Sequence, residues 1–187
     1  MEIEKIRNKY EPNLKVYGFE FAGVEIYNQR YFYLQYKNKR NFGRFQNSVL
    51  NIWKDQQTGK IEGDLIFDEN ADVETHHFKH LSIKELFGIL KDIEKMEIET
   101  EKWTRENEVL LNNLGFTSNN DFVQYHVYDR RYFYKDFKNE NKNAVMRIWY
   151  DNKTGKFSAD LSLNDKKYEN LSMNKLFSIL NGDLNEQ

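Results

Sequence analysis

Cysteine is missing from the 187-residue sequence, and proline occurs once, as Pro12. Without thiols the chain forms no disulfide bonds, performs no thiol catalysis and holds no cysteine-ligated zinc or iron–sulfur cluster. A single proline argues against proline-rich linkers. No stretch approaches the ~18 apolar residues that a membrane-spanning helix needs. We therefore expect a cytoplasmic protein without a membrane anchor.

The composition is that of a folded chain with a well-solvated surface. Hydrophobic residues make up 39% of the sequence, aromatic residues 16% and charged residues 31%, which suffices for a packed core. The formal net charge of −2 argues against a protein that coats nucleic acid. The N-terminal stretch MEIEKIRNKYEP lacks the apolar segment of a signal peptide.

The two halves of the chain share a sequence pattern. Residues 47–65 and 143–161 are identical at ten of nineteen positions. Eight of these form the shared motif I-W-x-D-x-x-T-G-K-x-x-x-D-L at 52–65 and 148–161. The stretch LSIKELFGIL at 81–90 matches LSMNKLFSIL at 171–180 at six of ten positions. Self-similarity at a fixed spacing indicates repeated structural units. We interpret the chain as a tandem duplication.

Each copy is predicted to be an α+β unit of ~90 residues, in the order helix, three or four antiparallel strands, helix. Repeat 1 covers 1–96 and repeat 2 covers 97–187, related by a pseudo-two-fold. The alternation in KFSADLSL at 156–163 is typical of a half-buried strand. Ser82 and Glu85 form a capping box at the start of a closing helix.

The helix ends are predicted from glycine and proline. Gly115 suits the left-handed position after the helix that contains Trp103. Pro12 is expected to open a further helical turn that ends at Gly18. The closing helix of repeat 1 is expected to run through Met96 and to pack against the Trp103 helix.

The Thr-Gly-Lys sequence that occurs in both copies has two interpretations. A phosphate-binding loop needs a glycine five positions earlier and a Ser or Thr directly afterwards, and neither copy has them. A hairpin turn needs a residue such as Asp at its start and a left-handed glycine at its end. Asp55 with Gly59, and Asp151 with Gly155, meet that need, so we predict a hairpin in each copy.

A histidine cluster, ETHHFKHL, contains His76, His77 and His80. Histidine near carboxylates suits zinc or nickel, so a metal-dependent enzyme is one hypothesis. A solvated polar loop is the other, because a short His-rich tract is only a compositional signal. Alignment of the copies places His80 opposite Asn170. We expect the polar loop, and therefore no cofactor.

Charge is segregated along the chain. Residues 30–60 carry seven basic residues and one carboxylate, and residues 130–156 carry eight basic residues and three carboxylates. Residues 62–74 carry six carboxylates and no base. The strands and their loops are therefore predicted to be basic, and the segment that follows them acidic.

The RYFY sequence in each copy puts its tyrosines on one strand face and its phenylalanine on the other, since side chains alternate. Together with nearby bases, these tyrosines are the candidate binding residues: Arg30, Tyr31, Tyr33, Lys39, Arg40, Arg44, Arg130, Arg131, Tyr132 and Tyr134. Three interpretations stay open for them. They line the core, anchor a protein interface, or stack bases and hold phosphates.

Sequence motifs of catalysis are missing. No G-x-S-x-G, G-x-G-x-x-G or H-E-x-x-H occurs. Asp64 and Asp160 occupy matching positions and would suit acid–base chemistry only if they lay close together. Pairing with a neighbouring strand lysine is the alternative that we favour.

The order of helix, three strands and helix resembles the double-stranded RNA-binding domain family. That family's basic signature at the last helix is replaced here by LSIKELFGIL and LSMNKLFSIL, so its activity is not implied. The small, cysteine-free, charge-segregated chain is also similar to phage anti-defence inhibitors, including anti-CRISPR proteins, and to toxin-immunity proteins. We therefore expect a non-enzymatic binding protein with a protein partner, with nucleic acid as the alternative and a homodimer left open.

Overall fold

The computed structural model describes residues 2–27, 29–39, 48–67, 77–118 and 131–182. The chain divides into two compact units, unit 1 at 1–91 and unit 2 at 92–187. The border lies inside a helix, and the expected repeat border at 96–97 stays a prediction. Within the described ranges, no helix is long and apolar enough to cross a membrane.

Unit 1 begins with a helix, continues as a sheet and ends in the first turns of a second helix. Its elements are α1 (Glu2–Val16), β1 (Phe19–Tyr27), β2 (Tyr31–Asn38), β3 (Val49–Asp55), β4 (Ile61–Ile66), β5 (His77–Ser82) and the start of α2 (Ile83–Asn113). The five strands lie in sequence order, and all neighbours are antiparallel.

Unit 2 repeats this order with the remainder of α2 as its first helix. Its other elements are β6 (Thr117–Ser118), β7 (Tyr132–Asn139), β8 (Ala144–Asp151), β9 (Lys156–Leu163), β10 (Lys166–Ser172) and α3 (Met173–Leu180). These five strands also pair in sequence order and antiparallel. The α+β class predicted from the sequence is confirmed.

The predicted three or four strands per unit are wrong, because each sheet has five. The last strand of each sheet was missed because a register shift interrupts its alternation, between Phe78 and Leu81 in β5 and between Tyr168 and Leu171 in β10. The first strand β1 has a similar shift near Gly23. A bulge adds one residue and moves the following side chains to the other face, so the period of two disappears.

Two predictions about helices are also wrong. Pro12 lies inside α1 and does not open a separate turn. Burial of Ile6, Tyr10 and Leu14 along one side holds the helix together past the missing N–H. The helix after β5 and the helix that contains Trp103 are one element, α2, so they do not pack as a pair.

The core of unit 1 lies between one face of the sheet and its helices. Phe32, Leu34 and Ile52 are buried on that face. From the helices, Tyr10 meets Phe87 with ring centroids 6.3 Å apart. The alternation of β2 then places Tyr31 and Tyr33 on the opposite face, as predicted.

The core of unit 2 also lies between one face of its sheet and its helices. Met146, Ile148 and Leu161 from the sheet pack with Trp103 of α2 and Leu176 of α3 in one buried cluster. The helices of both units end at left-handed glycines, as predicted for Gly115 (φ 81°). In each unit we call the sheet face opposite the helices the outer face.

Candidate functional site

The Thr-Gly-Lys sequences form hairpin turns, as predicted. Gly59 (φ 74°) donates its N–H to the Asp55 carbonyl at 2.7 Å, and Gly155 (φ 68°) donates to Asp151 at 2.8 Å. Each Asp carboxylate also accepts the N–H two residues later, at 2.8 and 2.9 Å. Strands follow both turns, so these sequences are structural corners and not phosphate-binding loops.

An arginine clasps each turn. Arg30 donates two hydrogen bonds to Asp55, at 2.7 and 3.2 Å, and Arg131 donates two to Asp151, at 2.9 and 3.0 Å. These arginines hold the pKa of both carboxyl groups well below their usual range. Two candidate binding residues are therefore committed to matched bidentate pairs.

The outer face of unit 2 carries a ladder of rings between two arginines. The Arg131 guanidinium lies 4.7 Å from the Tyr132 ring centroid. Tyr132 meets Trp149 edge to face at 6.3 Å, and Trp149 meets Tyr134 at 4.7 Å. Arg147 closes the ladder 3.9 Å above Tyr134. Stacking of this kind fixes all five side chains, and we call them the unit 2 ladder.

Arg147 and its partner were missed by the sequence analysis. Arg147 donates two hydrogen bonds to Asp136, at 2.7 and 2.9 Å, and the pair raises the pKa of the guanidinium. The two residues are direct cross-strand partners of β7 and β8. Correct pairing of the two strands was the signal that would have found them, since opposite charges on facing positions attract.

Unit 1 has a corresponding ladder of rings, but a histidine, and not a second arginine, packs at its far end. Arg30 lies 4.9 Å from the Tyr31 centroid, and Trp53 meets Tyr31 and Tyr33 at 5.7 and 6.3 Å. The His80 ring packs against Trp53 edge to face at 5.6 Å. Trp53 is therefore enclosed by rings on several sides and is 9% exposed.

A buried carboxylate completes the cover over Trp53. Glu62 lies beside it as its cross-strand partner and is 5% exposed. Its carboxylate pairs with Lys60, and its Oε2 lies 3.5 Å from the His80 Nδ1. Burial of a charge requires such partners, so Lys60 and His80 hold the Glu62 carboxylate in place beside the tryptophan.

Asp64 and Asp160 have partners other than the lysine that we expected. Asp64 Oδ1 accepts the His80 N–H at 2.8 Å, and Asp160 Oδ1 accepts the Asn170 N–H at 2.9 Å. Both donors are left-handed residues at a strand bulge, with φ of 56° and 52°. The alignment of His80 with Asn170 made from the sequence thus agrees with their geometry. Trp149 Nε1 donates to the second Asp160 oxygen at 2.7 Å.

Grooves lie beside both ladders. The unit 2 groove has a volume of about 790 Å³ and includes Tyr132, Trp149, Lys156, Ser158, Asn170 and Ser172 in its lining. A smaller groove of about 280 Å³ on unit 1 is lined by Glu25, Ile26, Tyr33, Gln35 and Asn51. The unit 2 groove falls in the size range of small-ligand and peptide sites.

The candidate residues predicted from the sequence separate into three groups. Arg30, Tyr31 and Tyr33 meet on unit 1, and Arg131, Tyr132 and Tyr134 meet on unit 2, as described above. Lys39 lies just after β2, exposed, with its Nζ 3.8 Å from a Glu20 carboxylate oxygen. Arg40, Arg44 and Arg130 lie outside the described residues.

The histidine cluster differs from the loop that we expected. His77 begins strand β5, and His80 lies at its bulge, so the polar-loop prediction is wrong for this part. His76 lies outside the described residues. Among the side chains that the structure describes, no three His, Cys, Asp or Glu are placed to hold a metal ion. The alternative of a metal site at His76, His77 and His80 includes a residue outside the described part and stays a hypothesis.

Comparison of the chain with protein-family models, with curated proteins and with solved structures gives no match.

Proposed function

We propose that the chain is a non-enzymatic binding protein that docks a protein partner through the outer faces of its sheets. An inhibitor of the phage anti-defence or toxin-immunity kind would work in this way, in the cytoplasm. The observation that carries the proposal is the unit 2 ladder, in which half-buried Tyr132 and Trp149 and buried Tyr134 are held between arginines on an outer face. Tyrosine, tryptophan and arginine are the residues that dominate the energetics of protein interfaces.

The ladder is suited to docking because it is already ordered. Arg131 is held by Asp151, and Arg147 by Asp136, while both stack on rings. A partner would therefore meet side chains whose conformational entropy has already been lost. Preorganisation of this kind reduces the entropic cost of association.

The ion pairs favour a protein partner over nucleic acid. Binding of nucleic acid draws on cations that neutralise phosphates and release counterions. Three arginines on the outer faces, Arg30, Arg131 and Arg147, are each paired bidentately with a carboxylate. A phosphate would have to displace that carboxylate or share the arginine with it. Nucleic acid binding remains the alternative outcome of the test.

We further propose that the two units descend from a tandem duplication. The same strand order, the same clasped hairpin and the same aspartate at a left-handed bulge support this proposal. Such agreement in irregular features is more telling than agreement in strand count, since bulges are specific features of a fold.

The test begins with affinity capture from the native host and continues with the purified partner. Trp149→Ala and Tyr132→Ala should each weaken the reconstituted complex at least tenfold, which is about 1.4 kcal/mol. Val109→Ala, at an exposed position of α2, is the matched control. Unchanged affinity in both ring variants would contradict the proposal. A complex with DNA or RNA at ~50 mM salt, lost at higher salt, would favour the alternative.

A further inference from the structure

The two units differ at the positions beside the central tryptophan. In unit 1, Glu62 is the cross-strand partner of Trp53, and in unit 2 Ser158 is the cross-strand partner of Trp149. The residue at the left-handed bulge is His80 in unit 1 and Asn170 in unit 2. Strand register and bulge geometry thus identify two matched pairs of positions.

These differences decide whether the tryptophan is accessible. Glu62 and His80 cover Trp53, whereas Ser158 and Asn170 are smaller and line a groove together with Trp149. Unit 1 therefore carries its own cover over the ring, and unit 2 leaves the matching space open.

The open space on unit 2 is bounded by two aromatic rings that meet at nearly a right angle. Tyr132 and Trp149 meet at 83° with centroids 6.3 Å apart, so they form two perpendicular apolar walls. Phe157 and Leu171 border the groove, but their side chains pack in the core on the helix-facing side of the sheet, so Tyr132 and Trp149 supply the apolar walls. A compact ring or a ridged chain fits such a corner better than a flat ring does. Aromatic grooves of this kind are used to bind proline-rich segments in an extended left-handed helix.

The hydrogen-bonding groups of the groove fit the same ligand. Asp151 accepts from Arg131, and both oxygens of Asp160 accept from groups of the protein. The Ser158 hydroxyl and the Asn170 amide can donate, as can Lys156. A proline-rich chain presents carbonyl acceptors and has no N–H at each proline, so Ser158, Asn170 and Lys156 can satisfy its carbonyls, while the exposed Glu169 carboxylate lies in the same lining.

Charge also disfavours an acidic segment. Lys156 and Glu169 both line the groove and are exposed, with opposite signs. Asp151 is neutralised by Arg131, whereas the charge of Arg147 is already matched by Asp136. Asp160 therefore leaves the groove weakly negative, and a segment without carboxylates fits it best.

We infer that the unit 2 groove takes up an uncharged, proline-rich segment of the protein partner, a step that rests on the proposed docking function. Unit 1 does not take up such a segment, because Glu62 and His80 occupy the matching space.

Decaproline is the probe, and the indole N–H signals of the three tryptophans are the readout by NMR. We expect saturable movement of the Trp149 signal, with Trp53 and Trp103 unmoved and a Gly-Ser peptide of equal length inactive. The double variant Ser158→Glu/Asn170→His brings the unit 1 cover into unit 2 and should weaken binding at least tenfold. The reciprocal Glu62→Ser/His80→Asn should leave binding at Trp149 intact and make the Trp53 signal respond.

An unmoved Trp149 signal at millimolar decaproline would overturn the inference, as would unchanged affinity in the Ser158→Glu/Asn170→His variant. Movement with a neutral oligosaccharide but not with decaproline would assign the groove to another ligand. If the double variant loses the wild-type signal of Trp103, which lies in the unit 2 core, Ser158→Gln alone replaces it. Loss of partner binding in Trp149→Ala without any decaproline binding would overturn the occupant and leave the docking function intact.

Discussion

Gly63→Ala tests how closely α2 approaches the sheet of unit 1. A Cβ at Gly63 would lie 2.7 Å from Leu86 Cδ2 and 3.3 Å from the Asn51 carbonyl oxygen. Leu86 is fully buried, so its methyl group cannot turn into solvent. The matched position in unit 2 is Ala159, which is also fully buried. The same strand position thus holds glycine in one unit and alanine in the other.

Opposing terms decide the sign of the effect. Alanine in place of a glycine with ordinary dihedrals stabilises by about 0.4–1 kcal/mol through the unfolded chain. Insertion of a methyl group into a well-packed core costs about 1–3 kcal/mol. Because the added methyl group would lie only 2.7 Å from Leu86 Cδ2, the cost of overpacking outweighs the gain from the unfolded chain. We expect Gly63→Ala to lower the free energy of unfolding by about 1–2 kcal/mol.

The reverse substitution in unit 2 is the matched control. Ala159→Gly removes a buried methyl group, worth about 0.8 kcal/mol, and adds the cost of glycine in a strand, about 0.5–1 kcal/mol. It should therefore also destabilise, by about 1.5 kcal/mol. Urea unfolding gives the free energies, and hydrogen exchange read by mass spectrometry shows which unit opens.

A Gly63→Ala variant more stable than wild type would refute the reasoning. A double-mutant cycle locates the cause, since coupling energies report direct contact. In a Leu86→Ala background only the 3.3 Å approach to the Asn51 carbonyl oxygen remains, so the cost of Gly63→Ala should fall to under ~0.5 kcal/mol. An equal cost in both backgrounds would show that Leu86 is not the obstacle.

Three further predictions concern the caps and ion pairs. Ser82→Ala should cost about 1–2 kcal/mol and Ser172→Ala about 0.5–1 kcal/mol in urea unfolding. The Ser82 hydroxyl both donates to the Glu85 carboxylate and accepts the Glu85 N–H, whereas the Ser172 hydroxyl accepts the Lys175 N–H; equal costs would contradict this. Arg7 and Lys15 lower the pKa of Glu11 to about 2, so its stabilisation is present above pH ~4.5 and lost as pH falls through ~2. Glu11→Gln should therefore lower the free energy of unfolding by about 1 kcal/mol at pH 7, a figure reduced because the partner side chains are exposed to solvent. The cost should be smaller at pH 3, and a cost that does not change with pH would contradict this. Arg147→Lys should lower the free energy of unfolding by about 1 kcal/mol, because lysine cannot make the planar bidentate pair with Asp136. The control Arg105→Lys, at an exposed position, should change it by under ~0.5 kcal/mol. Similar values for the two variants would show that the bidentate pair contributes little.

The sequence predicted those parts of the fold that depend on local chemistry. The hairpins needed only an Asp and a left-handed glycine, and the cap at Ser82 needed only Glu85 three residues later. The fifth strand escaped detection because His80 and Asn170 adopt left-handed dihedrals and break the period of two. Pro12 misled because its local cost is outweighed by burial of Tyr10 and Leu14.

The candidate site also has parts that the sequence predicts and parts that it does not. Alternation correctly predicted that Tyr31 and Tyr33 share one strand face, as do Tyr132 and Tyr134. The groove was not found, because it depends on which residue lies across from a tryptophan, and that requires the register of β8 with β9. Single-sequence patterns report spacing along a strand and not pairing between strands.

The residues that recur in both units and those that differ have separate roles. The recurring Trp, Asp, Thr and Gly build the ladder and the clasped turn, so their repetition reflects a common scaffold. Ser158 and Asn170 line an open groove where Glu62 and His80 form a cover. Binding specificity resides in sites placed on a fold and not in the fold itself. Under the proposed docking function, the positions at which the two units disagree should determine what each unit binds. Exchange of these positions therefore tests that proposal more directly than mutation of the shared motif does.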